Sequence, residues 1–208
     1  MIVPSMTEEQ LLEEIKLDLK NIYDTSTIKK KKAERIIRTS SVFPVRLHSF
    51  ITSKRKNNWL ILWEAHSKKN IGDKLIVSFI CYYDSTHGKY AVMPTIENRT
   101  LLLIKYAPHF FQRFAQRMNL DLSGIDLIKR YFEYNTSYGF QYENVQDESG
   151  TVQVFGSTDE GIAMGVMSTQ NNVILIKTFI TYEMTKGEQI KDFALSNQLR
   201  KEIDEAIG

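Results

Sequence analysis

The chain has 208 residues, 42% hydrophobic and 25% charged, which is enough apolar content for a packed core and too little charge for a disordered chain. The single cysteine, Cys81, excludes an internal disulfide and any multi-cysteine zinc site, and its apolar surroundings mark it as a buried hydrophobe. A net charge of +2 conceals an uneven distribution: residues 25–70 hold twelve Lys and Arg against two acids, Glu34 and Glu64, a separation that can steer a polyanion toward one face.

Thr7 and Gln10 form a capping-box pattern ahead of Leu11, Leu12, Ile15, Leu19 and Ile22, which recur at helical spacing. Asp24, Thr25, Ser26 and Thr27 predict a break, after which Thr27 caps a second helix reaching Arg38. Together these make a helical arm over residues 1–40, followed by a single domain over 41–208. Residues 58–66 alternate, with Trp59, Ile61, Trp63 and Ala65 on one face of a strand. That period favours a core role for both tryptophans over base stacking. Residues 75–83 are apolar throughout and read as a more central strand, followed by a turn at Gly88 and further strands over 90–93 and 100–106.

Pro108 opens a helix that runs to about Asn119, and Ser123 caps another over 125–134. Residues 138–150 read as a loop, and the neighbouring Tyr131, Tyr134, Tyr138, Phe140 and Tyr142 would suit a protein interface. Residues 151–155, 161–168 and 173–182 form a second antiparallel set, and 188–206 a closing helix. Runs of strands and runs of helices point to an α+β fold. The expectation is one or more antiparallel β-sheets with an N-terminal helical arm, two central helices and a C-terminal helix. Residues 1–10 carry no signal-peptide pattern, and no apolar run approaches the ~18 residues of a membrane helix, so the expected location is cytoplasmic with no membrane partner.

Chemistry concentrates on the helix that Pro108 opens. At ~100° per residue, Arg113 falls ~40° and Arg117 ~80° from His109, while Phe110, Phe111, Phe114, Ala115 and Met118 take the opposite arc. One face is therefore aromatic core and the other a row of His109, Arg113 and Arg117. A neutral imidazole beside two fixed cations suits a general base next to a phosphodiester, with the guanidinium groups on the phosphate oxygens. In the late strand, Thr178 and Tyr182 are the hydroxyls that could position such a phosphate, on a face shared with Ile176 and opposite Lys177. A separate nucleic-acid-binding set comprises Lys29, Lys30, Lys31, Lys32, Arg35, Lys54, Arg55 and Lys56. His48, His66 and His87 are scattered without metal-ligand spacing, and neither a P-loop nor a nucleophile elbow is present, so no metal and no cofactor are expected.

The His109, Arg113 and Arg117 row, followed by a sheet whose late strand carries Thr178, resembles the barnase, colicin and RelE group of metal-independent ribonucleases, over residues 100–185. The resemblance implies that His109 deprotonates a ribose 2′-OH, that Arg113 and Arg117 stabilise the phosphorane, and that Thr178 or Tyr182 positions the phosphate. Here the chain is longer than such toxin domains and carries an extra N-terminal meander. Two readings follow: a metal-independent RNA-cleaving enzyme, or a non-enzymatic module that binds nucleic acid or a protein partner. The oligomeric state stays open.

Overall fold

The computed structural model describes residues 1–97, 99–135, 139–142, 150–168 and 172–185. Along the chain run α1 (Glu8–Thr39), β1 (Val45–Thr52), β2 (Asn58–Ala65), β3 (Ile76–Ser85), β4 (Gly88–Glu97) and β5 (Thr100–Tyr106). They are followed by α2 (Pro108–Arg117), α3 (Gly124–Tyr134), β6 (Gly139–Tyr142), β7 (Thr151–Ser157), β8 (Ile162–Ser168) and β9 (Val173–Ile180). The α+β class holds. The predicted closing helix over 188–206 lies outside the described residues.

α1 is one unbroken helix of 32 residues rather than two. Its capping box is formed: Thr7 Oγ1 accepts from the Gln10 amide and Gln10 Oε1 from the Thr7 amide. The predicted break fails because the hydroxyls turn back onto the helix. Thr25 donates to the Asn21 carbonyl at 2.8 Å, and Ser26 and Thr27 donate to that of Tyr23 at 2.8 and 3.0 Å, so no backbone group is diverted. Leu11, Ile15, Ile22, Ser26, Ala33 and Ile37 form one buried stripe. Ser26 lies on it, and the packing that holds the helix therefore runs straight through the polar segment.

All nine strands form one sheet in the order β1-β2-β3-β4-β5-β9-β8-β7-β6. Every pairing is antiparallel except β5 with β9. The two antiparallel sets expected from sequence are thus fused edge to edge. α2 and α3 occupy the crossover between them, because parallel neighbours need a long connection. α1 covers one face, where its stripe meets Trp59, Ile61, Trp63, Cys81, Val92 and Leu103. The other face packs Leu60, Ile80, Ala91, Ile104 and Tyr106 against the aromatic side of α2 and α3. β2 is buried on both faces, which places Trp59 and Trp63 in the core. Burial also pushes the Cys81 thiol pKa well up, leaving it an inert hydrophobe.

A buried polar network ties α1 to the β1–β2 turn. Asp18 accepts from Trp59 Nε1 at 2.8 Å and Asn57 Nδ2 at 2.9 Å. Glu14 accepts from Arg55 through both oxygens and from Asn57, and these donors hold its carboxyl pKa down at about 2. Glu14→Gln is expected to cost ~1–2 kcal/mol at neutral pH, with solvent screening at the exposed side of Arg55 keeping the figure small. The folded pKa lies below the ordinary value of 4.5, so this contribution is complete above 4.5 and is lost as pH falls toward 2. Urea melts of both proteins at neutral pH and near pH 3 check the sign. The gap between them should narrow in acid, and a constant gap would assign the loss to packing instead.

Candidate functional site

α2 is held by its aromatic side. Phe110, Phe111 and Phe114 are buried, and Phe114 meets the rings of Tyr131 and Phe179 edge-on at centroid distances of 5.0 and 5.1 Å. This packing fixes the rotation of the helix and turns His109, Arg113 and Arg117 outward together. Arg113 Nε donates to His109 Nε2 at 3.3 Å, and its Nη1 donates to Gln116 Oε1 at 3.0 Å. Arg117 Nη1 reaches across to Thr178 Oγ1 on β9 at 3.4 Å. The row expected from the helical wheel and the strand hydroxyl, 61 residues further along the chain, are thus one contiguous patch.

No carboxylate among the described residues forms an ion pair with His109, Arg113 or Arg117. Burial and then the neighbouring Arg113 charge push the Arg117 guanidinium pKa downward from its ordinary value. The group stays charged, and no acid among the described residues pairs with it. Two forked guanidiniums and an imidazole in this arrangement offer donors that suit an anion. Nε2 is the ring nitrogen of His109 that faces Arg113.

A bulge sits beside Thr178. Gly165 of β8 opposes Ile176, whereas Met164 opposes Thr178, so Lys177 is the extra residue. The extra residue changes the expected alternation: Phe179, not Thr178, joins Ile174 and Ile176 in the core. Gly165 permits it, because a Cβ there would fall on the Leu175 carbonyl and within 2.8 Å of the Ile176 Cα.

The other sequence candidates are placed elsewhere. The hydroxyl of Tyr182 donates to the carbonyl of Thr158, in the turn between β7 and β8, at 2.5 Å. Lys29, Lys30, Lys31, Lys32 and Arg35 lie on the C-terminal half of α1, on the sheet face opposite α2. Being consecutive, the four lysines fan through ~300° of helix and share no single face. Lys54, Arg55 and Lys56 form the β1–β2 turn beside the N-terminal half of α1, where Arg55 is paired to Glu14. The α1 lysines and the His/Arg row therefore stand on opposite faces of the sheet. The supposed aromatic loop is not one. Tyr131 is core, Phe140 and Tyr142 belong to β6, and Tyr138 lies outside the described residues.

Sequence reasoning missed a second charged cluster, at the end of α3. The Tyr134 ring sits between Arg130, 3.9 Å away, and Arg46, 5.0 Å away. Arg130 pairs with Glu160, Arg46 with the buried Glu64, and His48 with Glu133. A lone carboxylate inside the apolar stretch of β2 was the available signal. Here Arg130 and Arg46 each have an acid, so the cluster clamps α3 to β1, β2 and the β7–β8 turn. Comparison with protein-family models, curated proteins and solved structures finds no match.

Proposed function

We propose that this chain cleaves RNA without a metal ion, using the patch on α2 and β9. One observation carries the reading: His109, Arg113 and Arg117 stand in a row that no acid among the described residues pairs with, and the row is joined to Thr178. In this scheme a phosphodiester displaces the Arg113–His109 contact and takes both guanidiniums on its non-bridging oxygens. Nε2 of His109 removes the proton from the 2′-hydroxyl, whose oxygen attacks phosphorus. The bond to the 5′-oxygen breaks, that oxygen takes up a proton from the imidazolium or from water, and a 2′,3′-cyclic phosphate remains. Arg117 and Thr178 hold the phosphoryl group in line as charge builds on its oxygens. The two guanidiniums supply the neutralisation that a metal supplies in other nucleases. This is the chemistry of the ribonuclease group that residues 100–185 resemble.

The test uses purified wild type and a His109→Ala/Arg113→Ala double variant, each incubated with structured and single-stranded RNA in excess EDTA. Wild type alone should give fragments, with cyclic phosphate ends by mass spectrometry. Equal cleavage by both would move the activity away from α2. Salt-sensitive binding by wild type with no turnover would replace this reading with the non-enzymatic nucleic-acid-binding module.

A further inference from the structure

β3 and β4 separate halfway along their length. They pair from Ser85 opposite Gly88 up to Cys81 opposite Val92, and residues 76–80 and 93–97 then run on unpaired with each other. Each strand stays paired on its other side, β3 with β2 as far as Ile76 and β4 with β5 as far as Glu97. The sheet therefore opens into a fork without losing either prong.

Pro94 explains where the fork begins. The Leu103 amide donates to the Asn172 carbonyl, so the backbone polar groups of Leu103 face β9. Pro94 lies directly opposite Leu103 and so turns its own nitrogen and carbonyl away from β5, toward β3. Continuing the ladder would set Pro94 against Phe79 and would require an N–H at position 94, which proline lacks. Backbone direction alternates, so the N–H and C=O of Val77 and Phe79 face the opening from one prong. The Pro94 carbonyl and both polar groups of Ile96 face it from the other.

Between the prongs lies a cavity of about 770 Å³. Its walls mix polar and apolar groups, with Ser78, Thr95 and Glu97 in the lining and aromatic rings on both faces of the sheet: Tyr23 stands edge-on to Phe79 at 4.7 Å on the α1 side, and Phe140, Tyr142 and Leu102 line the other. Ile96 is 71% exposed at the rim. Two facing rows of backbone donors and acceptors, at the depth of a sheet, are complementary to one thing above others, a further strand.

We infer that the fork is a binding site for an extended peptide of about five residues from a partner protein, with apolar side chains, which inserts between β3 and β4. The peptide pairs with both prongs at the usual ~4.8 Å strand spacing and sends alternate side chains to the Tyr23 wall and the Phe140 wall. This site is independent of the patch on α2.

The probe is a fluorescein-labelled Lys-Val-Thr-Val-Thr-Val-Lys peptide, with a version N-methylated at alternate residues as control, because methylation removes backbone donors and leaves the side chains. Full-length wild type should bind the first at least about tenfold more tightly than the second. Pro94→Ala supplies the missing N–H, lets the ladder close, and should weaken binding by a similar factor. Hydrogen exchange on free wild type should show rapid amides at Val77, Phe79 and Ile96 that slow when the peptide is added. No binding, equal binding of the methylated peptide, or amides already protected in the free protein would each overturn the inference. The last would mean that the fork is filled by the chain itself or by a second copy. Should Pro94→Ala fail to fold, the two peptides on wild type still decide.

Discussion

Arg117→Ala should lower the rate of RNA cleavage by about 10²–10³-fold, the usual cost of removing one preorganised donor from a developing oxyanion. The same change should move the melting temperature by no more than about 4 °C, since one long, half-solvated hydrogen bond is worth ~1 kcal/mol at most. Arg117 is suited to this test because its aliphatic stem and its head do separate work. The head ends 3.4 Å from Thr178 and pairs with no acid among the described residues, so its removal strands no carboxylate among them. Arg117→Lys keeps the charge but loses the planar fork, and should recover only part of the rate. A melting temperature that drops steeply in Arg117→Ala would assign the residue to structure. Unchanged cleavage, with folding intact, would remove the α2 patch from the reaction.

A second large effect is expected from Gly165→Ala. The added methyl must occupy space already taken by the Leu175 carbonyl and the Ile176 Cα. These are backbone atoms of a central strand, so they cannot rotate away as a side chain would. Overpacking of this kind costs about 3 kcal/mol, which for a chain of this size is ~6–12 °C in melting temperature. The consequence for activity is more specific. The bulge beside Gly165 lies next to Thr178, the residue that meets Arg117. Refolded Gly165→Ala protein, assayed well below its melting temperature, should therefore cleave RNA more slowly than wild type while Arg113 and His109 remain in place. A control at Gly72, where a Cβ would meet nothing within 4 Å, separates packing from glycine loss in general. That position has a φ of +71°, so Gly72→Asn is the appropriate change there.

The cation row and the fork differ in how they could have been found. Period 3.6 places His109, Arg113 and Arg117 on one arc wherever the helix packs, because the aromatics on the other arc leave only one way to bury it. The fork depends on Pro94 lying opposite Phe79, and no local pattern states which strand Pro94 will face. β1 was overlooked for a related reason. It is an edge strand with three of its eight residues exposed and none buried, so its alternation carries little apolar contrast. Arg55 read as a free cation because its partner, Glu14, is 41 residues away.

By itself the sequence determined the α+β class, the capping box at Thr7, the limits of β5, the aromatic side of α2 and the cationic row on its other side. Each of these is written within one or two turns of helix or one strand, where side-chain period and backbone geometry leave a single answer. Only the tertiary structure decided that α1 runs unbroken, that two antiparallel sets join through parallel β5 and β9, that Thr178 meets Arg117 beside a bulge, and that the basic arm and the His/Arg row stand on opposite faces. Those outcomes are set by which hydrogen-bonding edges and apolar faces meet across long stretches of chain. Alternation along a strand says that it has two edges and two faces, but it does not say what will fill them.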